Sequence, residues 1–125
     1  MNLVAAFYTM MTPNWHLFFV PLSVFITSLI HWNNPINGSN RQHIDIAVVI
    51  MNAIYMGFRA YGAEYMYQYY FWFAIGMLSY YNGHRYYRED TYDLSCYYHM
   101  GVHISATFAN IILSSGHILP LTIFP

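Results

Sequence analysis

Thr12-Pro13-Asn14-Trp15-His16-Leu17-Phe18-Phe19-Val20-Pro21-Leu22-Ser23-Val24-Phe25-Ile26-Thr27-Ser28-Leu29-Ile30-His31-Trp32 carries no formal charge. It opens like a helix, with a hydroxyl cap and proline in the first turn. Apolar residues then run through Phe18, Val20, Leu22, Phe25 and Leu29 to Trp32. About 20 mostly apolar residues suffice to cross a bilayer, so the stretch predicts a membrane span over 13–32. The turn formers of 33–40 stop it.

The rest of the chain follows the same pattern. Of its 125 residues 58% are apolar by type and 7% charged, against about 25% charged in a typical soluble domain. No charge falls within 1–40, 65–84 or 94–125. A second span is expected over 44–60, with Arg59 snorkelling its stem to the interface, a third over aromatic-rich 64–82, and a fourth over 94–119, closed by Pro120. The fold class expected is all-α: one integral, multi-pass transmembrane domain forming a four-helix bundle of up-down topology. Residues 1–12 fit either an interfacial helix or an extension of the first span.

Four spans place the loops at 33–43 and 82–93 on one side of the membrane. Arg41, Arg85 and Arg88 share that side and only Arg59 serves the other, so a positive-inside count puts those loops in the cytoplasm or its equivalent. Asn37-Gly38-Ser39 is an acceptor sequon that would be used only in the opposite orientation. With no lysine and a net charge of -1, the chain has no electrostatic footprint for nucleic acid, and that partner is excluded. Cys96 is the single cysteine, so no intrachain disulfide forms. The N-terminus lacks a basic n-region and Pro13 interrupts it, so the whole chain is read as mature protein.

Ionisable residues at membrane depth are costly, and function is the default explanation for them. His31 falls in the last turn of the first span, and His99 and His103 fall in the first turns of the fourth, which starts from the same side. A rise of about 1.5 Å per residue and the up-down topology bring all three to one level. The i, i+4 spacing of His99 and His103 puts both imidazoles on one helical face, as in helix-borne zinc motifs, and Thr27 and His31 repeat it. Asp45 heads the second span on that same side, where a carboxylate can orient a ligand histidine. Three histidines with an open fourth position is an arrangement of catalytic zinc.

Thr27-Ser28-Leu29-Ile30-His31, then Asp45 at the head of the next helix, then His99-Met100-Gly101-Val102-His103, resembles the signature of the CREST superfamily of membrane hydrolases. That group includes the alkaline ceramidases, the progestin and adiponectin receptors and the hemolysin III proteins. The resemblance implies a zinc-dependent hydrolase of lipid amides or esters. His31, His99 and His103 would be the metal ligands, Asp45 the catalytic carboxylate and Thr27 the catalytic hydroxyl. The likeness covers a few positions between 27 and 103, with Thr27 where the family has serine (Ser28 is adjacent) and four spans where the family has seven. A four-span form would complete its cavity by association, so a homo-oligomer or a place in a membrane complex is expected, in contact with membrane lipids.

The same residues admit other uses. Histidines at helical spacing also hydrogen-bond neighbouring helices, and Ser105, Thr107, Asn110, Ser114 and Ser115 make the last span polar along its length. The chain is then a non-catalytic small subunit of a larger membrane assembly, such as a respiratory complex. A third arrangement sets His31 opposite His99 or His103 across a haem b, making an electron carrier. His16, His43 and His84 are expected near interfaces, His117 and Glu64 at the far surface, and the glycines in no local small-xxx-small pair.

Overall fold

Thr12-Pro13-Asn14 forms a corner instead of starting a helix. The Thr12 hydroxyl donates to the Thr9 carbonyl at 2.7 Å and accepts from the Asn14 amide at 3.3 Å. The Asn14 side-chain amide donates to the carbonyls of Ser114 and Gly116 at 3.0 and 2.8 Å, meeting acceptors that the last helix leaves open at its C-terminus. Asn14 thus serves another helix end, and the long helix begins later, with Pro21 in its first turn.

The computed structural model describes residues 2–33 and 39–118, and among these every element is helical. Helix α1 spans Asn2–Met10, a 3-10 turn spans Trp15–Leu17, and α2, α3, α4 and α5 span Phe19–Asn33, Asn40–Ala60, Met66–Arg88 and Tyr92–Ser115. The sequon at 37–38 and the expected stop at Pro120 lie outside the described residues. Two stretches, Trp15–Asn33 and Asn40–Ala60, are long and apolar enough to cross a membrane. In α4 and α5 the tyrosines, histidines and hydroxyls lower the hydropathy below that mark.

Residues 1–12, which the sequence leaves undecided, contain a separate helix. It runs parallel to α5: Asn2 reaches His103 and Thr107, Thr9 meets Ser114 at 3.0 Å, and Tyr8 meets Ser115 at 2.6 Å. The start of α3 at Asn40 comes earlier than the expected 44, because the Ser39 hydroxyl caps it by accepting from the Gln42 amide at 3.3 Å. Gly62, at φ 75°, turns the chain from α3 into α4 in the left-handed region that glycine tolerates.

The expected polar loop at 82–93 shrinks to a turn around Asp90. Arg85 and Glu89, four residues apart, pair at 3.2 Å and prolong α4 through Arg88. The tightest seam joins α4 to α5, and here the expectation about small residues is corrected. Gly101-x-x-x-Ser105 on α5 faces Ser79 and Gly76 on α4, where a Cβ on Gly101 would lie 3.2 Å from the Ser79 hydroxyl oxygen and one on Gly76 3.4 Å from the Ser105 Cβ, and Ser79-x-x-x-Gly83 carries the seam on to Tyr98. Serine supplies half of each pair, which a search for paired glycines passes over.

Many polar groups are buried, and many large apolar ones face outward. Asn2, Thr9, Asn14, His31, Asp45, Arg59, Ser105, Thr107, Asn110 and Ser114 are buried, whereas Phe58, Phe71, Met51, Leu78, Ile54 and Tyr97 are exposed. The apolar core, built on Leu17, Val20, Met56, Ala60 and Leu113, sits at the end of the assembly where α3 finishes. Arg59 is buried there at 4% exposure, and the expectation that it snorkels outward is overturned. Its guanidinium turns to His16, which offers a nitrogen at 3.4 Å.

Candidate metal centre

The opposite end holds the polar cluster. Asp45, in the second turn of α3, has no exposed surface. Thr27 and Ser28, adjacent on α2, both donate hydroxyl hydrogen bonds to its Oδ1, at 3.0 and 2.8 Å. One oxygen is thereby saturated. The other, Oδ2, has no hydrogen-bond partner and lies 3.8 Å from His99 Nε2.

His99 and His103 project from one face of α5, as their spacing predicts, with Nε2 atoms 3.1 Å apart. The Ser28 hydroxyl is 3.4 Å from His103 Nε2. The far ring nitrogen of His103, Nδ1, is held by the Asn2 side-chain amide at 3.1 Å, and Asn2 in turn accepts from Thr107 at 3.2 Å. Ligand atoms of Asp45, His99 and His103 all lie within 4.8 Å of one another and could hold a metal ion.

His31 borders this trio. It is 3% exposed, its ring centre is 6.4 Å from that of His99, and its Nδ1 is buried without a partner. Trp32 closes the edge, with its ring 5.0 Å from His31 and 5.6 Å from His99. The expected residues Thr27, His31, Asp45, His99 and His103 are therefore brought to one neighbourhood, with Asp45 inside the compact donor set and His31 beside it.

The donor chemistry suits a borderline cation such as zinc, which takes imidazole nitrogen and carboxylate oxygen together. Two buried orphaned atoms, Asp45 Oδ2 and His31 Nδ1, flank the imidazole pair. A buried ionised carboxylate is expensive unless a cation or proton sits beside it, and the imidazoles offer a place for either.

Beside His99 a chamber of about 330 Å³ is lined in part by Gln42, His43, Ser79, His84 and Tyr87. Tyr80 and Val102 also line a neighbouring cavity of about 270 Å³, whose walls include Val24, Ile50, Trp72 and Ala106. His43 and His84, expected near an interface, thus border the chamber. Cys96 is exposed, and His117 and Glu64 pair with each other far from the cluster through the His117 backbone amide at 3.0 Å. Asn2 had no signal in the sequence, because only the packing of α1 along α5 delivers it. No protein-family model, curated protein or solved structure matches this chain.

Proposed function

We propose that the chain is an integral membrane protein with four spans, formed by α2 to α5, that binds a divalent cation, zinc, and hydrolyses lipid amides or esters. The observation that carries this reading is the buried Asp45 carboxylate, with one oxygen saturated by two hydroxyls and the other left for a cation shared with His99 and His103. The membrane part rests on the large apolar side chains that face outward. Exposed phenylalanine, methionine, isoleucine and leucine around an interior that buries polar groups beside its apolar core is what lipid as solvent favours.

Zinc at this position supplies a Lewis acid that activates water and polarises a carbonyl. The chain's own residues do the rest. Thr27 and Ser28 fix the carboxylate's rotation so that Oδ2 faces the imidazoles and can accept a proton there. Asn2 fixes the His103 ring, as partners of ligand histidines do. The polar chamber beside His99 suits a headgroup, and the apolar cavity sharing Tyr80 and Val102 suits its chain.

Elemental analysis of the purified protein, paired with release of fatty acid from amide and ester lipids, tests the reading. Near-stoichiometric zinc is expected, lost in the His99→Ala/His103→Ala double variant together with hydrolysis. Zinc that survives the double replacement overturns it, and a Soret band in place of zinc would make His31, with His99 or His103, the haem ligands. A second reading is a non-catalytic subunit of a membrane complex, as a homo-oligomer or beside other chains. The contacts from Asn2 to His103 and from His103 to His99 favour it, since such a network also holds helices together. It predicts that chelation changes nothing.

A further inference from the structure

At the end of the assembly opposite the histidine cluster, a positive charge is buried with no counter-charge beside it among the described residues. Arg59 is 4% exposed, and its Nε, fully buried, has no hydrogen-bond partner. A guanidinium carries five N–H donors and does not shed its proton in a protein. The contact recorded for this one is Nη2 donating to His16 Nε2 at 3.4 Å, at the limit of a hydrogen bond. The chain has five side-chain carboxylates, and none pairs with it. Asp45 belongs to the histidine cluster, Glu64 accepts from the His117 amide, Glu89 pairs with Arg85, Asp90 accepts from Tyr92, and Asp93 is exposed in the first turn of α5.

The C-terminal dipole of α3 offers Arg59 a partial negative charge, about half an elementary charge, but no oxygen to its Nε. Removing a charge from water is costly unless a counter-charge with good geometry repays it. His16, which is exposed, leads from the buried guanidinium to the surface.

We propose that Arg59 and His16 form an oxyanion-binding site. Its ligand is a phosphate-type oxyanion, carried on a lipid headgroup or free in solution, taken by the planar fork of Arg59 with His16 at the mouth. Arginine's fork matches two oxygens of one phosphate, which suits Arg59 to this task better than lysine. The site is independent of the metal centre, so its loss leaves zinc content unchanged.

The experiment follows thermal unfolding of the full chain in a non-ionic detergent free of phosphorus. Inorganic phosphate is titrated in one arm and a short-chain phosphatidylglycerol in the other, with chloride matching ionic strength. A saturable rise in Tm is expected in at least one arm, absent with chloride and abolished in Arg59→Gln. Response to phosphate identifies a soluble oxyanion, and response to the lipid alone identifies a headgroup. His16→Ala, a surface change that leaves the fold intact, should raise the concentration needed several-fold, which keeps the test valid if Arg59→Gln fails to fold. No saturable rise in either arm, or an equal rise in His16→Ala and wild type, overturns the site.

Discussion

The two ends of the helix assembly each bury one charged side chain, Asp45 and Arg59, and surround it in opposite ways. Asp45 has two hydroxyls on one oxygen and imidazoles facing the other, all supplied by α2 and α5. Arg59 sits beside the apolar core of Leu17, Met56 and Ala60, with one long contact to a histidine. A charge provided with neighbours that shape its environment belongs to a built site. A charge left among apolar side chains depends on something that arrives from outside.

The largest effect should come from removing the imidazoles at the provided end. His99→Ala with His103→Ala deprives the carboxylate of its facing donors, and bound zinc should fall to background in elemental analysis, with hydrolysis gone. If zinc persists, the Asp45 end is no more a metal centre than the Arg59 end.

Arg59→Met tests the other side of the contrast. In detergent without oxyanions, replacing an unpaired buried charge by an apolar side chain of similar length should raise stability, by about 1 to 4 kcal/mol, measurable as a higher Tm. The corresponding change at the first end, Asp45→Leu, should lower it, since Ser28 loses its short acceptor and Thr27 is left with the backbone carbonyls of Ser23 and Val24 alone. Equal losses at both sites would erase the distinction.

Asn2→Leu sharpens the comparison within the cluster. It removes the partner of His103 Nδ1 without touching a ligand atom, and zinc affinity should drop about 10- to 100-fold in competition with a chromophoric chelator. Thr27→Ala should do least. Ser28 still donates to the same Asp45 oxygen, so the loss is one hydrogen bond, about 1 kcal/mol in chemical denaturation, with zinc retained.

The helices were legible because uncharged runs and turn formers alternate along the chain. Their ends were less so: Arg85 and Glu89 look like loop charges in one dimension and like a helical ion pair in three. The histidine pair on α5 follows directly from its spacing and Asp45 from its place at the head of a span, whereas Thr27, with Ser28 adjacent, stands out only through the resemblance of 27–31 to a hydrolase motif. Asn2 and Arg59 escaped for a common reason. Each acts across the packing of non-adjacent helices, where hydropathy along the chain carries no information.

The close seam between α4 and α5 also makes the protein amenable to covalent locking. A Cβ on Gly101 would lie 3.5 Å from the Ser79 Cβ, at the short edge of the roughly 3.5 to 4.5 Å that disulfides span. A Ser79→Cys/Gly101→Cys pair, with Cys96 replaced by serine, could therefore be closed by oxidation and reopened by reductant. Gly101 stands midway between His99 and His103, and Ser79 lines the chamber beside them. Such a clasp would hold one wall of that chamber rigid while α3, which brings Asp45 from the other side, remains free to move.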